Sequence, residues 1–173
     1  MGGAQNLAAS RESPRGFDGR RVFLESGSKK GVIPGRHVSV AIGAREVIEF
    51  RVTEGEMEAF RRLSADVNPL HDDAGFARRR GFDGVVVYGG LIVAQVSRLL
   101  GTRIPGHGCV WRSVSLRFRN PLYVGELAQL SGVVVHANED LGTVDLKLSV
   151  VAGGRRIAEG EAAALLVRER ADA

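Results

Sequence analysis

The run Leu91–Leu100 is the feature that most constrains the fold of this 173-residue chain. It is apolar except for Gln95, Ser97 and Arg98, and Gly101 closes it. A helix that is apolar on almost every side must be covered by other structure, because apolar surface left in water is unfavourable. The sequence therefore predicts a helix that other elements enclose.

The residues after this helix predict the elements that enclose it. Four strand-like runs follow, and turn residues separate the last three at 138–142 and at Gly153-Gly154. These runs are Val110–Phe118, Leu127–His136, Val144–Val151 and Ile157–Val167. We therefore predict an α+β domain in which an antiparallel β-sheet wraps around a long central helix.

Shorter elements are expected before that helix. Alternating apolar residues between positions 38 and 52 predict one or two strands with one buried face. Thr53, followed by Glu56, matches a capping box at the start of a helix. The apolar residues of that helix recur at helical spacing, and they are Met57, Phe60 and Leu63. Asp72 or Asp73 is expected to cap a second short helix.

The distribution of charge argues against a nucleic-acid partner. The net charge is +4, but residues 1–39 alone hold seven basic and three acidic side chains. The other 134 residues hold 17 of each, so the body of the protein is neutral. Nucleic-acid binding requires a concentrated basic face with stacking aromatic residues. We interpret residues 1–35 as a basic, flexible N-terminal extension and residues 36–170 as a single domain.

The apolar pattern predicts neither a membrane span nor a secretory signal. No apolar run reaches the length of a span, and the opening residues lack the apolar core of a signal peptide. A mitochondrial transit peptide is an alternative for the arginine-containing leader, although its acidic residues argue against it. We expect a cytoplasmic protein without a membrane partner. The single cysteine, Cys109, excludes an internal disulfide and is interpreted as a buried thiol.

The segment Phe60–His71 carries the candidate chemistry. It places an acid, Asp66, five residues before His71, with Asn68-Pro69 between them. Because proline disfavours the helical conformation in the preceding residue, Asn68 is expected to be extended and the chain to turn sharply. Such a turn can present a carboxylate and an imidazole to one water molecule or substrate proton, as general acid–base chemistry requires. A helix-ending turn with a solvated aspartate and a surface histidine is the alternative.

The segment Phe60–Phe76, with Tyr88-Gly89-Gly90-Leu91 after it, resembles the hydratase motif of the MaoC-like family of (R)-specific enoyl-CoA hydratases and acyl dehydratases. The similarity covers roughly residues 47–167 and runs through further collinear motifs, which are Leu100-Gly101, Ile104-Pro105-Gly106, Leu116-Arg117-Phe118-Arg119-Asn120-Pro121-Leu122 and Val124-Gly125-Glu126. The resemblance implies the hotdog fold. It also implies a hydro-lyase, an enzyme that adds or removes water across carbons 2 and 3 of an acyl thioester.

The same resemblance implies roles for individual residues. Asp66 and His71 match the pair that holds and activates water. The backbone N–H of Gly89, which Gly90 follows at the start of the central helix, matches the donor to the thioester oxygen. The residues expected to support this site are Asn68, Tyr88 and Ser97.

Two residues depart from the family pattern. Tyr88 stands where the hydratases usually have histidine, and it is expected to supply a hydroxyl and a flat ring near the acyl entrance, where it alters substrate choice. Ala65 stands where glycine is common, which matters if the position needs a positive φ angle.

Two other hypotheses remain for the same fold. Thioesterases share it, but they generally place a carboxylate on or beside the central helix, and Leu91–Leu100 contains no acid. A non-catalytic acyl-binding subunit is the other alternative, left open by Ala65 and Tyr88.

The expected partners are small molecules and a second copy of the chain. The substrate is an acyl-CoA or acyl-carrier-protein thioester, and the resemblance implies a homodimer or a higher oligomer of dimers. Arg78-Arg79-Arg80 is either a solvated charge run or a contact for CoA phosphates or a carrier protein. We expect no organic cofactor and no metal, because the remaining histidines lack the spacing of metal ligands. Those histidines are His37, His107 and His136.

Overall fold

The computed structural model of the protein describes residues 40–167. The elements in this range are β1 Arg45–Phe50, α1 Glu54–Ser64, a 3-10 turn Pro69–His71, α2 Ala74–Arg79, α3 Gly89–Thr102, β2 Cys109–Phe118, β3 Ala128–Asn138, β4 Thr143–Ala152 and β5 Arg155–Leu166. The interpretation of residues 1–35 as an extension lies outside the described residues. The α+β class predicted from the sequence is confirmed.

The five strands form one antiparallel sheet in the order β1-β3-β4-β5-β2. The meander β3-β4-β5 provides its centre, and β1 and β2 form its edges. Helix α3 packs against β1, β2 and β3. Its buried side chains are Ile92, Val96, Leu99 and Leu100. Because burial of each such side chain contributes about 1.5–3 kcal/mol, this contact fixes α3 on the sheet.

The sheet packs on α3 as predicted, but it does not enclose the helix completely in the described part of this single chain. One side of the helix is exposed and carries Gly90, Ala94, Ser97 and Arg98. All four residues are small or polar, so the exposed side presents little apolar area to water. The helix also continues past Gly101 to Thr102.

The N-terminal half forms one strand, β1, where the alternation predicted one or two. Ile42 lies in a turn with Gly43, whose φ is +86°, so no strand precedes β1 between residues 40 and 44. Val38 lies outside the described residues. Leu63 follows Met57 and Phe60 at helical spacing, but 83% of its surface is exposed.

Local signals in the sequence form the structures that they predicted. The Thr53 N–H donates to the Glu56 carboxylate at 2.7 Å, and the Glu56 N–H donates to Thr53 Oγ1 at 3.3 Å, which completes the capping box. Asp73, and not Asp72, caps α2, because its Oδ1 accepts from the Phe76 N–H at 2.9 Å.

The runs predicted as β2 to β5 are strands, and the hairpins turn where they were expected. Gly153 and Gly154 have φ angles of +52° and +74°, which a two-residue hairpin turn requires. Cys109 is half-buried and its thiol donates to the Leu100 carbonyl at 3.2 Å. Burial raises the pKa of this thiol, consistent with a packing role. None of the helices within residues 40–167 is long and apolar enough to cross a membrane.

The close approach of β5 to β2 at Gly160 predicts the effect of a substitution there. A Cβ atom on Gly160 would lie 1.9 Å from the Ser115 carbonyl oxygen on β2. We therefore expect Gly160→Ala to lower the free energy of unfolding by about 3 kcal/mol, measured by urea denaturation. In Gly55→Ala the new Cβ meets only Thr53 Oγ1 at 4.0 Å, and this control should be neutral or stabilising. Equal urea midpoints for Gly160→Ala and the unmodified protein would contradict this packing.

Candidate active site

Helix α1 ends in a tight turn that leads to the candidate acid. Ala65, the residue after α1, adopts a left-handed conformation with φ 56° and ψ 18°. Ser64 Oγ holds this turn, because it donates to the Phe60 carbonyl at 2.8 Å and accepts from the Asp66 N–H at 3.2 Å. A side chain in the left-handed region costs about 1–2 kcal/mol. The position therefore needs the positive φ angle that glycine adopts without this cost.

Asp66 and Asn68 build the turn that follows. One carboxylate oxygen of Asp66 accepts from the Asn68 N–H at 3.0 Å, which orients the exposed carboxylate. Asn68 is extended, with φ −62° and ψ 120°, as the proline after it predicted. Its side-chain oxygen accepts from the Leu70 N–H at 3.1 Å and so caps the 3-10 turn. Asn68 thus shapes the turn through main-chain contacts.

His71 is half-buried and is tied to the main chain at one ring nitrogen. Its Nδ1 lies 2.6 Å from the Val86 carbonyl oxygen. Because a carbonyl oxygen can only accept, Nδ1 carries the proton, and Nε2 of the neutral ring is the proton acceptor. The Val86 N–H donates to the Leu70 carbonyl at 3.0 Å, so two hydrogen bonds attach the 3-10 turn to the main chain of Val86.

Tyr88 joins the Asp66 turn to His71. It is 2% exposed, and its hydroxyl donates to the Asp66 backbone carbonyl at 2.8 Å. Its ring centroid lies 4.0 Å from that of His71 and 5.0 Å from that of Phe60. Burial and the negative charge of Asp66 raise the pKa of the Tyr88 phenol, so it stays a hydrogen-bond donor at neutral pH. The structure places Tyr88 within the packing, with its hydroxyl bound to main chain, and not at an open entrance.

Gly89 and Gly90 form the N-terminus of α3 directly after Tyr88. A Cβ on Gly89 would lie 3.1 Å from the Phe118 ring, and one on Gly90 would lie 2.4 Å from the Phe60 ring. Both glycines therefore allow an aromatic ring to approach the helix end. No side chain in the described part of the chain caps this end. The first N–H groups of a helix lack partners within the helix, and its dipole favours negative charge there.

Phe60 and Phe118 border this helix end, although the sequence indicated only that they lie on a helix and a strand. The sequence does not reveal that these two rings contact the start of α3, because all three segments are far apart in the chain and meet only in the folded protein. The steric need for glycine at both positions could have suggested a bulky neighbour but not its identity. The Phe118 ring is 49% exposed and adds an apolar surface beside Gly89.

Ser97 lies two turns further along α3, on its exposed side. Between residues 40 and 167 the structure shows no hydrogen bond from its hydroxyl to the Asp66 turn or to His71. The contacts shown link the Asp66 main chain to Tyr88 and Tyr88 to His71, with Gly89 next to Tyr88 in the chain, and they do not include Ser97.

The three arginines of the charge run are exposed at the end of α2. The guanidinium groups of Arg79 and Arg80 lie 5.9 and 5.1 Å from the centre of the Phe76 ring. Arg79 also lies 4.0 Å from the Asp73 carboxylate. In the described range no three His, Cys, Asp or Glu side chains are grouped so that they could hold a metal ion.

The chain is similar in sequence to proteins of known family. A family model described as "MaoC like domain" matches residues 39–152. The chain is 34% identical over 125 residues to an (R)-specific enoyl-CoA hydratase of Aeromonas caviae, covering 72% of this chain and 93% of that protein. It is 27% identical over 121 residues to a 3-hydroxybutyryl-CoA dehydratase of Methylorubrum extorquens, covering 70% and 77%.

The fold is similar to that of a solved structure as well. The (R)-hydratase from A. caviae involved in PHA biosynthesis superimposes with a TM-score of 0.71 at 33% identity, covering 75% of this chain and 98% of that one. The predicted hotdog architecture is confirmed by this similarity and by the antiparallel sheet beside α3.

The hydrogen bond at His71 predicts its tautomer. We expect the neutral imidazole of His71 to carry its proton on Nδ1, because the Val86 carbonyl accepts a bond of 2.6 Å from this nitrogen. Two-bond nitrogen–proton correlation spectra, recorded at a pH where the ring is neutral, will distinguish the tautomers. The exposed rings of His107 and His136 are internal references. A proton on Nε2 of His71 would contradict the assigned geometry.

Proposed function

This chain belongs to the MaoC-like dehydratase family, and from this premise we propose that it is a hydro-lyase acting on carbons 2 and 3 of an acyl thioester. The observation that carries the proposal is the position of Tyr88. Its hydroxyl binds the Asp66 carbonyl, its ring contacts His71, and the next residue is Gly89 at an uncapped helix end. An acid, an imidazole and main-chain donors are thereby held by one small group of contacts.

In this proposal Asp66 and His71 share the reacting water. One accepts a proton as the water oxygen bonds to carbon 3, and the other returns a proton to carbon 2. Dehydration uses the same groups in the reverse order. The available Nε2 lone pair of His71 and the exposed Asp66 carboxylate support these roles. Positioned proton transfer of this kind contributes roughly 100- to 10,000-fold to the rate.

The N–H of Gly89 is proposed to bind the thioester oxygen, with Gly90 beside it at the helix end. Negative charge develops on this oxygen as the enolate forms, and a hydrogen bond and the helix dipole both oppose it. Loss of one such donor in other enzymes costs about 2.7–4 kcal/mol of barrier. The absence of a side-chain cap in the described residues supports this role, because a cap would compete for the same donors.

The substrate carrier and the assembly are part of the same proposal. CoA or an acyl-carrier protein arrives as part of the substrate, so no separate organic cofactor is needed. Asn68 and Ser97 are proposed as supporting residues. A homodimer, or a higher oligomer of dimers, would cover the edge strand β2, where Val110 and Phe118 are 53% and 49% exposed. A cytoplasmic location is proposed from the sequence.

Hydrolysis of the thioester is the competing reaction. The central helix Gly89–Thr102 contains no acidic residue that could serve it, which favours the hydro-lyase. With crotonyl-CoA, we expect the enoyl absorbance to fall without release of free thiol. Release of thiol would identify a thioesterase. No change with short, long, branched and carrier-linked enoyl groups would leave only an acyl-binding subunit.

Asp66→Asn tests the proposed acid–base pair. The amide keeps the shape and the oxygen that accepts from the Asn68 N–H, but it loses the proton acceptor. We expect kcat to fall by at least about 100-fold, with the free energy of unfolding changed by less than about 1 kcal/mol. The two quantities are measured by the crotonyl-CoA assay and by urea denaturation.

Asp72→Asn is the matched control for the loss of one negative charge. Asp72 is an exposed carboxylate 3.7 Å from Arg61, and an exposed ion pair of this kind contributes little to stability. Turnover of this control should stay within about twofold of the unmodified protein. If Asp66→Asn unfolds the protein, the segment is a structural turn and the assignment of Asp66 as a proton acceptor is wrong.

A further inference from the structure

We propose that Tyr88 is a positioning residue, which holds the strained Ala65–Asp66 turn against the rest of the protein and aligns it with the imidazole of His71. This inference rests on the proposed hydro-lyase function. It assigns to Tyr88 a task in placing the reacting groups, in contrast to the sequence-based expectation of a role in substrate choice.

The turn is held by little apolar packing. The apolar side chains on its two sides, Leu63 and Val67, are 83% and 65% exposed. Ala65 has a φ angle of 56°, which a residue with a side chain adopts only when its surroundings impose it. Hydrogen bonds must therefore supply most of the restraint.

Tyr88 makes the hydrogen bond that connects this turn to a distant part of the fold. Its hydroxyl binds the Asp66 carbonyl across 22 residues of sequence. Within the described range, every other hydrogen bond shown from residues 64–68 ends between residues 60 and 71. The local bonds shape the turn, and the Tyr88 bond fixes where the turn lies.

The other contacts of Tyr88 make it a rigid support. The Val87 N–H before it donates to the Leu122 carbonyl at 2.8 Å, and α3 begins directly after it. Its ring lies against His71 with centroids 4.0 Å apart and planes at 30°. One buried side chain thus sets the position of the Asp66 main chain relative to the imidazole. A displacement of about 1 Å between reacting groups can lower a rate about 100-fold.

Ala65 and Tyr88, the two departures from the family pattern, therefore act on the same turn. The side chain of Ala65 favours departure from the left-handed conformation, and the phenol of Tyr88 opposes it. If this is correct, replacing Ala65 by glycine should lessen the need for the phenol. The effects of the two substitutions will then not be additive.

Tyr88→Phe tests the proposal, because it removes the hydroxyl and keeps the ring. We expect kcat to fall about tenfold, from the lost bond and the displaced turn, while KM changes less than about twofold. Hydrogen exchange of the backbone amides at residues 64–68 should become faster. In Tyr88→Phe/Ala65→Gly, part of the lost turnover should return. The measurements are steady-state kinetics and hydrogen exchange with mass spectrometry, supported by melting temperatures.

Tyr123→Phe is the matched control, since the chain has two tyrosines. The Tyr123 hydroxyl accepts from the Asp83 N–H at 3.1 Å, so this variant also loses a phenol bound to main chain. We expect its kcat to stay within about twofold and exchange at residues 64–68 to be unchanged.

The outcomes separate this inference from the proposed function. If kcat and the hydrogen exchange at residues 64–68 are both unchanged in Tyr88→Phe, the inference is overturned. It is also overturned if kcat falls without faster exchange at residues 64–68. Hydrogen exchange is measured without substrate, so it tests the Tyr88 bond to the turn even if the protein hydrates no enoyl thioester. A lack of hydration would overturn only the proposed function.

Ala65→Val is a second test of the inference, and it does not depend on whether Tyr88→Phe folds. Ala65 is exposed, so valine changes mainly the strain of the left-handed backbone. Faster exchange at residues 64–68 and a lower kcat are expected. Unchanged exchange at residues 64–68 in Ala65→Val would show that the turn is not strained, and the inference depends on that strain.

Discussion

The packing of α3 across one face of the sheet positions everything else at the candidate site. Leu99 lies so close to β3 that a Cβ on Gly132 would be 2.9 Å from its Cδ2. This contact and the burial of Ile92 and Val96 leave the helix little freedom to slide or rotate. The helix end is therefore fixed, and with it the N–H of Gly89 and the side chain of the residue before it.

The other half of the site is built in a different way. The Asp66 turn lies at the surface, its neighbouring apolar side chains are exposed, and hydrogen bonds define its shape. Regions with few buried apolar contacts open at lower free energy than the core. The site therefore combines a fixed main-chain donor with a carboxylate on a surface turn, and the geometry between them depends on the contacts that bridge the two. Those contacts are the Tyr88 hydroxyl bond and the bond from His71 to Val86.

Much of the fold could be predicted because its signals are local. Alternation predicted β2 to β5, and the Thr53–Glu56 spacing predicted the start of α1. The exposed side of α3 could not be predicted, because apolar composition does not reveal which sides a single sheet can reach. The contacts that Phe118 and Tyr88 make at the candidate site were hidden for a related reason. Their contacts join residues that are far apart in sequence and follow from packing, not from a pattern.

Main-chain groups supply most of the fixed geometry at this site. The His71 imidazole is held by the Val86 carbonyl, the Asp66 turn is held through its own carbonyl, and the N–H of Gly89 is a backbone donor. Backbone atoms persist when side chains change, so the arrangement depends on the fold more than on side-chain identity. A side chain before Gly89 can bind this turn only if it carries a hydrogen-bond donor, because the Asp66 carbonyl oxygen accepts. Tyrosine meets this condition here with a buried phenol whose raised pKa keeps its proton.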